Sequence, residues 1–161
     1  MPRMKILSSV EQESFDKPPV LNGSQRKQAF YINESISKIL LELRGTDNKI
    51  GFLLSYGYFI MTRKFFHPLD FHSNDISHVI KQLEISADHS FKKYSNTTRL
   101  SHENIILEIN GYVRFTEGAV EFLNAEIFKM VKNQQKPKLI FFRCIDRLRQ
   151  AKVELPSCRR L

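Results

Sequence analysis

The sequence predicts an all-α domain, compact and containing about eight helices, one pair of which forms a helix-turn-helix-like element. Three observations predict this class. Apolar residues recur at intervals of three and four along most of the 161 residues, capping residues and breakers separate the periodic segments, and no segment alternates apolar with polar residues for long enough to indicate a sheet. At this length one core, and therefore a single domain over residues 1–161, is expected.

The first half of the chain is divided by proline, glycine and asparagine, which end helices or favour turns. The first predicted helix there is short, capped by Ser8 or Ser9 and stopped by Pro18, and the second follows Asn22-Gly23-Ser24 and continues through Ile36, Ile39, Leu40 and Leu43. The third is apolar and extends from about Asp47 to Thr62. The fourth is opened by Ser73-Asn74-Asp75 and ends near Leu83.

The second half is divided in the same way. Its predicted helices are one capped at Ser86 that leads into SFKKY, one from about Asn96 to Ile109 closed by Gly111, one opened by Thr116 that extends to Val131, and one from Leu139 to Gln150 after Pro137. An extended piece from Val153 to Pro156 follows the last of them.

The segment from Ile50 to Met61 is apolar on every side, which indicates a helix surrounded by others in the core. It is well short of the roughly 20 residues that a bilayer requires. The basic start MPRMKILSS has no apolar region typical of a signal peptide. Cys144 and Cys158 match no zinc or redox spacing. We therefore expect reduced thiols, a cytoplasmic location and no membrane partner.

The formal net charge is +8, and most of it lies late in the chain. Residues 1–85 hold 11 Lys/Arg and 9 Asp/Glu, whereas residues 86–161 hold 14 and 8. A basic excess concentrated in one segment is typical of a protein that binds a polyanion, because neutralising phosphates releases condensed counterions. The alternative is a solvated face on a basic protein.

Catalytic patterns are weak in this sequence. The five histidines are spaced irregularly, without HExxH or a neighbouring cysteine cluster, and the glycines are too scattered for a phosphate-binding loop. Asp75 is explained by its position at a helix N-terminus. We expect no enzymatic activity, no metal site and no cofactor from this chain.

The run from Ile76 to His102 resembles a helix-turn-helix, with a helix that ends near Leu83, a short turn, and a second helix from the Ser86 cap. In that motif the second helix presents its first residues to the DNA major groove. Glu84 stands where glycine is preferred, and Ser90 where an apolar residue would anchor the second helix. An ordinary helical hairpin, with Lys92 and Lys93 in solvent, remains the alternative.

A second basic surface is predicted on the last two helices. Lys129, Lys132 and Lys136 recur along one helix face, and Arg143 and Arg147 lie one turn apart on the next helix. Such a stripe can follow a phosphate backbone, in which arginine forms bidentate contacts and lysine acts as a point charge.

Several blocks, in order along nearly the whole chain, resemble the N-terminal domain of the large transposases of Tn-three-type replicative transposons. They are MPRMKILSSVEQESF, GYFIMTRKFFHPLDFHSNDI, YSNTTRLSHENIILEINGYVRF and KPKLIFFRCIDRLRQAKVELPSCRRL. The third block departs from the family at one place. Where the family carries Arg-Thr-Arg, this chain has Asn96 or Thr97 for the first arginine, and Arg99 and His102 are the matching residues.

This resemblance implies a DNA-binding piece that recognises the terminal inverted repeats of a transposon in double-stranded DNA and is followed by further transposase domains as partners. It implies that strand cleavage and its magnesium belong to a downstream catalytic core that these residues do not contain. The expected DNA contacts are Arg63, Lys64, Lys92, Lys93, Arg99, His102, Lys132, Lys136, Arg143 and Arg147. The alternative is an assembly module that contacts a partner through the apolar region Tyr56-Gly57-Tyr58-Phe59 and has only non-specific DNA affinity.

Overall fold

Helices account for the architecture of residues 7–157, the part of the chain that the computed structural model describes. The eight α-helices in this part confirm the all-α prediction, and its only bridge between extended residues is isolated, from Val113 to Val153. The helices are α1 Ser9–Asp16, α2 Gly23–Ala29, α3 Glu34–Glu42, α4 Thr46–Thr62, α5 Ser73–Gln82, α6 Asn96–Asn110, α7 Glu117–Lys132 and α8 Pro137–Gln150, with a short 3-10 helix at Pro68–Asp70.

The chain divides into two compact units. The first contains Met1–Asp16 and Leu107–Leu161, and the second contains Lys17–Ile106. The core of the first unit is formed mainly by side chains of α7 and α8, together with residues of the extended piece beyond α8. Helix α4 lies at the centre of the second unit, where it contacts α2 and α5.

Helix α4 confirms the prediction of a core helix. Its consecutive residues from Ile50 to Ser55 are buried, as are Gly57, Tyr58 and Phe59. Phe66 and Phe71 lie with their ring centroids 5.9 and 5.4 Å from that of Tyr58 and close this core beyond the helix end. The apolar region that the assembly alternative required is therefore largely internal to the second unit.

The long second helix predicted from Ser24 to Leu43 is wrong, because the structure has two helices there. Asn22 caps α2 in a reciprocal capping box with Gln25, at 2.8 and 3.0 Å, and Asn33 caps α3 with a 2.8 Å bond to the amide of Ile36. Asn33 thus supplies a second helix start inside the predicted helix. Asparagine is among the best N-cap residues, because its side chain accepts a bond from an otherwise unpaired amide.

The helix predicted from the Ser86 cap is also wrong, since residues 83–95 form turns and irregular backbone. Helix α5 ends in a Schellman motif, in which the Ile85 amide bonds the Ile80 carbonyl at 3.0 Å and the Glu84 amide bonds Lys81 at 3.1 Å. Glu84 takes the left-handed conformation, φ +58°, that glycine usually provides.

Asp47 stabilises the non-helical conformation of this segment, residues 83–95. Its carboxylate accepts bonds from the backbone amides of Lys93 at 2.8 Å and Lys92 at 3.4 Å, and contacts His89 at 2.5 Å. Burial alone would raise the pKa of Asp47, but the bonds from His89, Lys93 and Lys92 outweigh it and hold the pKa below its usual value. The next helix begins only at Asn96, so the described chain lacks the predicted helix-turn-helix at Ile76–His102.

Candidate nucleic-acid interface

The α7–α8 hairpin of the first unit carries the densest group of exposed basic side chains predicted to bind DNA. Leu123 and Met130 of α7 are buried with Phe141, Ile145 and Leu148 of α8, and this shared core fixes the opposite faces of both helices toward solvent. A tight connection holds the two helices together: the Gln135 amide bonds the Met130 carbonyl at 3.2 Å, and Pro137 occupies the first turn of α8.

Residues 127–145 contain five Lys or Arg and no Asp or Glu. All five cations, Lys129, Lys132, Lys136, Lys138 and Arg143, have exposed side chains. Lys138 also binds Glu11 of α1 at 2.7 Å, and a hydrogen bond from Lys138 lowers the pKa of that carboxyl group. The structure thus brings Lys132, Lys136 and Arg143 onto one hairpin, but the predicted stripe along a single helix face is wrong for Lys136, because α7 ends at Lys132 and Lys136 is the N-cap residue of α8.

Arg147 is less available than its neighbours on the hairpin. Its Nε lies 3.6 Å from Oε2 of Glu126 on α7, and its side chain is 39% exposed. The nearby carboxylate offsets part of the positive charge of this guanidinium and so weakens its attraction for a phosphate. We therefore assign Arg147 to the contact between α7 and α8.

The first unit as a whole is less basic than the C-terminal part of the sequence that supplies most of it. Its described residues, 7–16 and 107–157, hold nine basic and nine acidic side chains, because the acidic helix α1 belongs to this unit. The basic character is therefore local to the hairpin. A charge count over the C-terminal part of the sequence alone leaves out the acidic residues of α1.

In the second unit, Lys92 and Lys93 have exposed side chains on the irregular segment fixed by Asp47. Arg63 is half-buried at the end of α4, with its guanidinium 5.7 Å from the ring centroid of Phe59. These three residues supply positive charge, but they do not lie together on the face of one helix. Lys92 and Lys93 remain available to an anion in this conformation.

Two predicted DNA contacts are buried, which is inconsistent with the proposed role. Lys64 is 4% exposed, and its ammonium lies 5.6 Å from the ring centroid of Phe66. His102 is also 4% exposed; its Nδ1 is 2.7 Å from the hydroxyl of Tyr94, and burial lowers its pKa. Neither side chain can reach a phosphate without unpacking its surroundings, so both are corrected to core residues.

Arg99 is the third residue of the same predicted surface and is also engaged internally. Its guanidinium lies 3.9 Å from the buried carboxylate of Glu103 and 3.3 Å from the Asn96 side chain, which accepts a hydrogen bond. The side chain of Glu103 is only 4% exposed. If Arg99 turned outward to bind a phosphate, the buried carboxylate of Glu103 would lose a neighbouring positive charge. The structure thus favours a role for Arg99 in holding α6.

Sequence analysis missed the apolar side chains that stand among the hairpin cations. Phe128 is 72% exposed, and Val131, Leu139 and Phe142 are exposed as well. The signal in the sequence is helical phase, since Phe128 falls outside the core-facing positions of α7, which are the buried Leu123 and Met130 and the partly buried Ile127. Because large apolar residues are usually buried, the residue type gives no sign that Phe128 is exposed.

Among residues 7–157 there is no group of three or more His, Cys, Asp or Glu side chains that could hold a metal ion. The same described part of the chain has no helix both long and apolar enough to cross a membrane. Cys144 is a buried thiol whose pKa is raised by that burial, while Cys158 lies outside the described residues.

Residues 6–161 match the family described as a domain of unknown function, DUF4158. Because the match extends over nearly the whole chain, this protein belongs to that family. A search of curated proteins found no match.

Proposed function

We propose that this chain is a non-catalytic DNA-binding domain of a transposase and that it recognises the terminal inverted repeats of a transposon. One observation carries the proposal: residues 127–145 of a single hairpin contain five exposed cations and no carboxylate, and only one of the five, Lys138, has a carboxylate partner among the described ion pairs. Local basic density of this kind favours a phosphate backbone over other ligands. Family membership supports the context, since the family is found in transposase-associated proteins.

The proposed contact set is smaller than the sequence indicated. Lys132, Lys136 and Arg143 hold phosphates from the hairpin, while Lys92 and Lys93 belong to the other unit and supply a separate basic surface. Phosphate contacts position a protein on DNA, and base contacts specify the sequence. Specific recognition of the repeat therefore requires additional contacts to base edges.

The test is a fluorescence anisotropy titration of the whole chain on a duplex of the terminal repeat and on a scrambled duplex. Reversing Lys132, Lys136 and Arg143 to Glu is expected to weaken binding roughly tenfold or more, because phosphate contacts dominate affinity. The matched control reverses Lys27, Lys38 and Lys81, three exposed lysines of the second unit, with the same change in net charge. Equal weakening in both variants would contradict a localised interface, and equal affinity for both duplexes would contradict sequence recognition.

A second candidate function is an assembly module with only non-specific DNA affinity. The observation that favours it is the exposure of three large apolar side chains on one hairpin, Val131, Leu139 and Phe142, since exposed apolar surface can mark a protein interface. Light scattering decides between the two. An oligomer that dissociates when these side chains are made polar, with DNA affinity unchanged, would support assembly.

A further inference from the structure

The outward face of the α7–α8 hairpin combines an exposed aromatic ring with cations. We define the hairpin face by Phe128 and Lys132 on α7, and Leu139 and Arg143 form the corresponding exposed side of α8. Phe128 and Lys132 are four residues apart, as are Leu139 and Arg143, so each pair shares one side of its helix. All four side chains are exposed, on the sides of α7 and α8 opposite their buried residues.

The exposure of Phe128 sets it apart from the other phenylalanines of α7 and α8. It is 72% exposed, whereas Phe142 is 46% exposed and Phe141 is buried. Phe142 packs edge-on against Phe141, with ring centroids 5.4 Å apart. Phe128 therefore offers most of its ring for contact with a ligand.

The charge of this face selects the class of ligand. Lys132 lies one helical turn from Phe128 on α7, and Lys129, Lys136 and Arg143 are also exposed and close by in the sequence. The acidic residues of the two helices are Glu117, Glu121 and Glu126 on α7, the last of them paired with Arg147, and Asp146 on α8. An aromatic ring among cations is the pairing found in proteins that bind single-stranded nucleic acid, in which bases stack on the ring and phosphates follow the positive charge. An intact duplex hides the faces of its bases, so it cannot use an exposed phenylalanine in this way.

We propose that the hairpin face binds unpaired DNA, with a base stacked on Phe128 and a flanking phosphate held by Lys132. This inference rests on the proposed function only in taking DNA as the ligand. It adds that this face prefers a strand whose bases are exposed, such as a frayed or gapped end, to a continuous duplex.

The test measures the affinity of the full chain for a labelled single strand and for the duplex that contains the same strand. Phe128→Ala is expected to weaken binding to the single strand by about tenfold and to leave duplex affinity nearly unchanged, because only unpaired bases stack on the ring. Phe128→Leu should weaken it to the same extent, since leucine preserves apolar character without a flat ring. Phe122→Ala is the matched control, because Phe122 is a half-exposed phenylalanine on another side of α7.

The outcomes separate this inference from the proposed function. If Phe128→Ala binds the single strand as the unsubstituted protein does, or if Phe128→Leu retains full affinity, stacking at this face is overturned while duplex binding through Lys132 and Arg143 can still hold. If Phe128→Ala changes the oligomeric state and leaves both affinities unchanged, the face is a protein interface and the inference is wrong. Thermal unfolding of each variant verifies that an altered affinity does not arise from loss of the fold.

Discussion

Asp75 illustrates how a single residue can have a role that its sequence position does not reveal. It lies in the first turn of α5, as expected for an acidic residue near a helix N-terminus, but it is only 1% exposed. Its carboxylate accepts a 2.7 Å bond from Nε of Arg26 and a short bond from the hydroxyl of Tyr58. Burial, and next the carboxylate itself, raise the pKa of Tyr58. Three helices of the second unit are therefore joined through one buried carboxylate.

Replacing Asp75 by Ala is expected to lower the free energy of unfolding by about 3 kcal/mol or more, because it leaves Arg26 and Tyr58 without their buried partner. The comparison is Asp70→Ala. Asp70 binds Lys17 at 2.8 Å at the surface, where the side chains are 30% and 52% exposed, and the decrease should stay below about 1 kcal/mol. Urea denaturation of both variants measures the difference, and similar decreases would contradict a central role for the buried pair.

His102 provides the second case at the scale of a residue. It contacts Tyr94 through Nδ1 and meets the ring of Phe52 edge-on, with ring centroids 5.3 Å apart. Burial lowers its pKa from the ordinary value of 6.5, so the folded protein favours the neutral imidazole. The residue matching the family histidine is thus a core group in this chain.

The lowered pKa predicts the pH dependence of stability. As the pH falls below about 6.5, the unfolded chain takes up a proton at His102 that the folded chain resists, so the free energy of unfolding decreases until the folded-state pKa is reached. His102→Gln should therefore remove part of this decrease in the free energy of unfolding between about pH 7.5 and about pH 5.5. Part of the decrease that remains in this variant comes from His78, whose pKa is also lowered by burial. His67→Gln, at an exposed position, is the control, and identical pH profiles for all three proteins would refute the assignment.

At the scale of elements, close packing of α2 against α4 depends on a glycine. A Cβ atom at Gly57 would overlap the ring of Phe30 and lie 3.0 Å from the carbonyl oxygen of Ala29. The ring of Phe30 in turn meets Tyr58 edge-on at 5.7 Å. Gly57 thus lets the second helix lie directly on the central one.

Gly57→Ala is therefore expected to destabilise the protein by about 1–3 kcal/mol, as overpacking a filled core does. Gly118→Ala in α7 is the matched substitution in an open place, because the nearest atom, Oγ1 of Thr116, is 3.7 Å away. It should be neutral or stabilising by up to about 1 kcal/mol, since alanine has the higher helix propensity. Thermal or chemical unfolding compares the two, and a neutral Gly57→Ala would show that α2 can move away at little cost.

At the scale of the whole molecule, the distribution of charge between units matters more than the net value of +8. Described residues 17–106 hold twelve basic and eight acidic side chains, whereas those of the first unit are balanced at nine of each. The chain can therefore carry a strongly basic hairpin within a unit whose described part is neutral. The proposed function therefore predicts a DNA affinity that depends on that local group and not on overall charge.

The salt dependence of binding tests this expectation. Replacing Lys132, Lys136 and Arg143 by Gln should reduce the slope of log association constant against log salt concentration by about 0.9 for each phosphate of duplex DNA that the variant no longer neutralises. Replacing Lys27, Lys38 and Lys81 by Gln changes the net charge equally and should leave the slope nearly unchanged. Equal slopes for the two variants would indicate that binding is diffuse.

The sequence by itself determined the helical class, most helix positions and the central place of α4, because periodicity, caps and breakers act over a few residues. It located Lys132, Lys136 and Arg143 on one hairpin for the same reason. Only the tertiary structure decided what residues 83–95 become, since Asp47, distant in sequence, binds the amides of Lys92 and Lys93. Burial of Lys64 and His102, exposure of Phe128 and neutralisation of the C-terminal charge by α1 likewise depend on which distant segments pack together, and no local pattern encodes that choice.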